Sequence, residues 1–127
     1  MFITHVDPPI GGVDARSTTT ETINQTSMGM SVSLADASPA APIAVSLDSS
    51  VQDYFTCWIL NESTQTATFT ASSGDVNDGS GAAPSVALGA GESCALFKTS
   101  SGSPAVAHWK MLKGTRGDAG GVYVNGA

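Results

Sequence analysis

Positive charge is scarce in this sequence: five Lys and Arg stand against eleven Asp and Glu, giving a net charge of −6 and a pI near 4.4. Contact with a nucleic-acid backbone needs clustered cations, so neither direct nucleic-acid binding nor binding to anionic membrane surfaces is expected. No apolar run approaches the ~18 residues of a membrane-spanning helix. The opening MFITHVDPPIGG has neither a basic nor a long apolar segment and is not read as a secretory signal. Only two cysteines occur, Cys57 and Cys94, each inside an apolar run and neither in a C-x-x-C pair. Two buried thiols acting as small hydrophobes are expected, with one disulfide tying two strands as the alternative. The two histidines, His5 and His108, are far apart, so neither a metal nor any other cofactor is expected.

Aromatics make up 6% and charged residues 13% of the 127 residues. Their place is taken by 17 Ser, 13 Thr and 14 Gly, so hydroxyls rather than ions carry the solubility. Threonine packs well on a pleated sheet and serine fits tight turns. No stretch of a dozen residues holds the i, i+3, i+4 apolar spacing of a helix. Length and uniform composition fit one domain.

Residues 1–24 read as an extended arm. Val6-Asp7-Pro8-Pro9-Ile10-Gly11-Gly12 cannot continue a helix or a central strand, and Ser17 to Thr22 shows no apolar face. Met1, Phe2, Ile3 and Ile10 would anchor such an arm on a partner. Period-2 alternation then begins at Met30-Ser31-Val32-Ser33-Leu34 and recurs at Ile43-Ala44-Val45-Ser46-Leu47. In Tyr54 to Leu60, Phe55, Cys57 and Ile59 take one face while Tyr54, Trp58 and Leu60 take the other, so both faces are apolar. Such a strand is central to a sandwich or partly covered by another subunit. Thr66 to Ala71, Ser85 to Leu88, Ser93 to Lys98 and Ala105 to Leu112 complete the set, separated by Gly, Ser, Asp and Pro turns. The expected fold is all-β: an antiparallel sandwich or small barrel of about six to eight short strands over 25–113, with the arm before it and a Gly-rich tail over 114–127.

The central strand ending in Asn61, the Thr-rich strand, the Gly/Asp loop, the turn Val86-Ala87-Leu88-Gly89-Ala90-Gly91-Glu92-Ser93 and the closing His108-Trp109-Lys110-Met111-Leu112 come in a familiar order. This order resembles the small β-sandwich modules of tailed bacteriophages, found in capsid decoration (cement) proteins and in head or tail fibres. The resemblance spans about Met30 to Leu112. It implies binding rather than catalysis: a structural virion protein, commonly a homotrimer, made in the host cytoplasm and seated on the capsid exterior, where it braces the major capsid protein. A fibre module that binds a host-surface glycan is the alternative. The apolar candidates for contact are Phe2, Ile3, Ile10, Tyr54, Trp58 and Trp109, with core packing the competing reading for each and the preferred one for Trp109.

Other features carry less. Asp75 and Asp78 lie in the loop Gly74-Asp75-Val76-Asn77-Asp78-Gly79, which could present oxygens to Ca²⁺ but lacks a regular D-x-D-x-D spacing, so Asx turns explain it. His108 is expected to be a strand residue on a polar face or at an interface. No Walker loop, nucleophile elbow or dinucleotide fingerprint occurs, and no enzyme is expected. Arg116-Gly117-Asp118 and the glycines at 114, 117 and 120 belong to the tail, where two complete Gly-X-Y triplets are too few for a triple helix. Asn24-Gln25-Thr26 and Asn61-Glu62-Ser63 match glycosylation sequons, which need a secretory route to matter.

Overall fold

Alternating apolar and hydroxyl side chains let each strand bury one face. In the computed structural model, which describes residues 13–115, they build two sheets packed against each other. The strands are β1 (Val13–Arg16), β2 (Thr20–Ile23), β3 (Ser31–Leu34), β4 (Ile43–Leu47), β5 (Phe55–Asn61), β6 (Ala67–Ala71), β7 (Asp75–Asn77), β8 (Ala82–Ala83), β9 (Ser85–Leu88), β10 (Glu92–Ser101) and β11 (Val106–Thr115). One sheet has seven strands in the order β1-β3-β5-β10-β11-β7-β8, and the other has four in the order β2-β4-β6-β9. The all-β sandwich expected from the sequence is the fold observed.

The sense of pairing is mixed rather than wholly antiparallel. Through β6 the chain changes sheet at every connection, so β1, β3 and β5 run parallel in one layer and β2, β4 and β6 parallel in the other. The β7–β11 pair is also parallel, while β5–β10, β10–β11, β6–β9 and β7–β8 are antiparallel. Alternation reports which face of a strand is buried, not the direction of its neighbour. The strand count, eleven among the described residues, exceeds the expectation for a related reason: β7 and β8 are too short to show a period.

Half of the expected arm belongs to the sandwich. β1 pairs with β3, β2 pairs with β4, and Ile23 is completely buried. Arg16 holds this entry segment together, donating to the Thr22 carbonyl at 2.6 Å, to Asp14 at 2.8 Å and to the Ser27 hydroxyl at 3.2 Å. Phe2, Ile3 and Ile10 lie outside the described residues. At the other end, β11 takes in Gly114 and Thr115, while 116–127, with the Arg-Gly-Asp tripeptide, lie outside.

Between the layers sit Ile23, Val32, Leu34, Ile43, Val45, Leu47, Phe55, Ile59, Phe69, Leu88, Leu96 and Met111, all at most 2% exposed. Trp109, offered above as a contact residue, is a core residue: it is fully buried, edge-on to Phe55 at 5.6 Å, and its indole N–H donates to the Ser49 hydroxyl at 3.1 Å. Cys57 and Cys94 are free, buried thiols. Their register places them opposite Leu96 and Ile59, not opposite each other.

One polar side chain rivets the layers. Asn61, fully buried, donates its amide to the carbonyls of Gln65 (2.9 Å), Leu88 (3.1 Å) and Gly89 (3.0 Å), and accepts from the Ser63 hydroxyl at 2.6 Å. A buried amide so satisfied fixes three chain segments at once. The same burial removes this sequon from any modifying enzyme in the folded state. No helix among the described residues is long and apolar enough to cross a membrane.

Candidate functional site

The inner faces of both sheets are used up by the core. The outer face of the four-stranded sheet carries small and hydroxyl side chains such as Thr22, Ala44, Ser46, Thr68 and Thr70, which leaves the outer face of the seven-stranded sheet for apolar contact. Register carries one row across it: Val13, Ser31, Trp58, Ala95 and Leu112 are successive lateral neighbours on β1, β3, β5, β10 and β11. Val13 and Leu112 at the ends are 64% and 56% exposed, and Trp58 at the centre is half-buried. Ser31 and Ala95, small and flanked by larger side chains, are nearly covered. A second row holds Thr56 and Phe97 before reaching Lys110 and Asn77, and Leu60 lies two residues beyond Trp58. From β1 to β10 these two rows carry no charge, on a chain of net charge −6. A contiguous apolar face of this kind marks an interaction surface more often than chance exposure does.

Tyr54 stands at the edge of this face, outside β5, and is 80% exposed. Its φ of 65° is the one positive value among the described non-glycine residues. The turn that holds it there is clamped from below. Lys98, 5% exposed, donates to the Val51 carbonyl and to Asp53, both at 2.9 Å, and the Tyr54 N–H donates to the Lys98 carbonyl at 2.7 Å. Asp53 also accepts from Ser100 at 2.7 Å, and these two donors, Lys98 first, hold its carboxyl below the usual range.

The hairpin end of the same face is polar. Thr99, His108 and Asp75 form a row across β10, β11 and β7, with Ser101 one step diagonal to His108. His108 Nδ1 lies 3.0 Å from Asp75 Oδ2, and its Nε2 lies 2.8 Å from Ser101 Oγ. An open pocket of about 400 Å³ is lined by Asp75 and His108 together with Asn77, Ala82, Thr99 and Lys110. Asp78, three residues from Asp75, turns elsewhere. It accepts from the Ser80 hydroxyl and N–H and pairs with Lys113 at 3.2 Å, and these, Ser80 first, pull its carboxyl down to about 2. Of the two acids of the Gly/Asp loop, Asp78 closes an Asx turn on Ser80 as expected, while Asp75 departs from that expectation and turns to His108.

No family model, curated protein or solved structure matches the chain. The site must be read from its own geometry.

Of the expected contact residues, Tyr54 and Trp58 are uncovered and Trp109 is not. Val13, Phe97 and Leu112 were missed. Val13 falls in the segment expected as arm, and β10, with Cys94, Ala95 and Leu96 buried in succession, shows no clean alternation that would mark Phe97 as outward. The Ser101, His108 and Asp75 group has no sequence signal, since it depends on the hairpin register and on the parallel β7–β11 pairing.

Proposed function

We propose that this chain is a structural virion protein of the capsid-decoration type. It seats the open face of its seven-stranded sheet against other protein: copies of itself in a trimer and the major capsid protein on the capsid exterior. The observation that carries this reading is the neutral apolar row from Val13 through Trp58 to Leu112. Copies of an acidic chain repel over most of their surface, so the part of this face from β1 to β10, whose two rows carry no carboxylate, is where they approach. Its rings and aliphatic side chains gain about 25 cal/mol for each Å² removed from water, and a standard interface buries about 1,600 Å². The resemblance to phage β-sandwich modules points the same way.

Tyr54 favours a second reading, a fibre module that stacks an exposed ring on a host-surface glycan. Sedimentation separates the two. The decoration reading expects a trimer that co-sediments with emptied capsids of the encoding virus and raises their melting temperature. The double variant Trp58→Ser, Leu112→Asp should keep its β-sheet circular dichroism and lose both properties. A monomeric wild type that leaves capsids unaffected and binds glycans would overturn the decoration reading.

A further inference from the structure

His108 makes two hydrogen bonds in opposite directions. Asp75 Oδ2, 3.0 Å from Nδ1, is an acceptor, so Nδ1 carries the ring hydrogen. The lone pair of Nε2 then faces Ser101 Oγ at 2.8 Å, and the hydroxyl donates to the ring. A hydroxyl, a base and a carboxylate that orients the base are the parts of an activated serine nucleophile, recognised by geometry rather than by order in the chain. Here the chain order is Asp75, Ser101, His108, and the three come from β7, β10 and β11. Each is at least partly accessible: Ser101 is exposed, and the side chains of His108 and Asp75 are 37% and 27% exposed. Asp75 opens β7 and Ser101 closes β10, and the adjoining pocket of about 400 Å³, lined by Asp75 and His108 but not by Ser101, offers room for a small ligand within reach of His108.

We infer that Ser101 is an acyl-accepting nucleophile, with His108 its base and Asp75 the residue that positions His108, acting on small carboxylic esters that enter this pocket. Ser101 Oγ attacks the ester carbonyl carbon while its proton passes to His108 Nε2. The carbonyl C–O bond to the leaving alkoxide breaks, and that alkoxide takes the proton from Nε2. Water then attacks the acyl-serine with His108 again as base, releasing the carboxylic acid and restoring Ser101. No oxidant or reductant is needed. Lys110, two residues from His108 on the same face, has no ion pair among the described residues and is the ammonium bordering the pocket, available to the charge that develops on the carbonyl oxygen. His108 lies four residues from Leu112 along β11, about 13 Å away, so the site adjoins the row of Phe97 and Lys110 but is separate from the row that holds Trp58.

The experiment treats the full chain with a fluorophosphonate probe, maps the adduct by mass spectrometry, and follows p-nitrophenyl acetate hydrolysis in parallel. The expected result is one adduct, on Ser101 among the 17 serines, with ester hydrolysis above the buffer rate. Ser101→Ala should remove both. His108→Gln should slow labelling at least 100-fold, and Asp75→Asn at least 10-fold. Because the wild-type adduct is itself a readout, a variant that fails to fold does not block the test. No adduct on Ser101, or labelling unchanged by His108→Gln in a folded variant, would overturn the inference and reduce the three side chains to a fastening of the hairpin onto β7. Neither outcome depends on capsid binding.

Discussion

The Lys98 ammonium sits 2.9 Å from the Asp53 carboxylate, joining a cation buried at 5% exposure to an acid on the surface turn that presents Tyr54. The long side chain crosses from the inner face of β10 to the turn before β5, and its second bond, to the Val51 carbonyl, satisfies a main-chain acceptor there. A buried lysine tolerates its position only when so paired.

Lys98→Met keeps the chain length of the buried stem and removes both donors. It should destabilise the fold by about 1–3 kcal/mol in urea titration, the cost of leaving a buried carbonyl unpaired. The acid side follows from Asp53. Its carboxyl is held below the ordinary 3.8, first by Lys98 and then by Ser100, so its contribution is present above that pH and lost as pH falls through the lowered value. The gap between wild type and Lys98→Met should therefore narrow below pH 3.8.

Tyr54 combines a left-handed backbone with an exposed ring, which costs stability and gains nothing inside the monomer. Tyr54→Gly should raise monomer stability by about 1 kcal/mol in denaturant titration, since glycine accepts φ of 65° without strain. The same variant should weaken association with capsids or glycans. Loss of stability in Tyr54→Gly would show that the ring packs on the turn and is not kept for a partner.

Cys57 and Cys94 should be inert to a thiol reagent such as dithionitrobenzoate in the native protein at pH 8 and both react after unfolding. Burial pushes the Cys57 thiol up to about 12 and the Cys94 thiol well above its usual 9.0. The folded state then holds protons that the unfolded chain gives up, so stability declines as pH rises above 9.0, by about 1.4 kcal/mol per pH unit for each thiol. Cys57→Ala should flatten that slope; an unchanged slope would mean the thiolate forms without unfolding.

Much of the core was legible because burial imposes a period of two. Phe55, Cys57 and Ile59 point inward as their spacing demands, as do Ile43, Val45 and Leu47. β1 and β2 were not legible. Between them they bury only Ile23 completely, and they are held by backbone pairing and by Arg16, which leave no apolar pattern. Trp58 announced an open face because Cys57 and Ile59 were already committed to the other side. Which residues flank it is a matter of register, and register across parallel strands depends on crossings between the sheets that no local motif encodes. The contact of His108 with Asp75, 33 residues away, arises from the same source.

Gly74 decides whether that contact exists. It precedes β7 with a φ of 83°, and a Cβ placed there would lie 1.9 Å from the Ala107 carbonyl oxygen on β11. Gly74→Ala therefore meets both a backbone conformation that alanine disfavours and an overlap with main chain that no rotamer relieves. Gly79→Ala is the control, since Gly79 has a φ of 104° but nothing within 4 Å of its added Cβ. The control should lose about 1 kcal/mol in urea titration. Gly74→Ala should lose about 3 kcal/mol or more, or accommodate the methyl by moving β7 away from β11. In the second case the His108 ring loses Asp75, and its ¹⁵N chemical shifts should show the Nδ1–H form giving way to a mixture of tautomers. Equal losses in the two variants, with the His108 signals unchanged, would mean that β7 does not rest against Ala107.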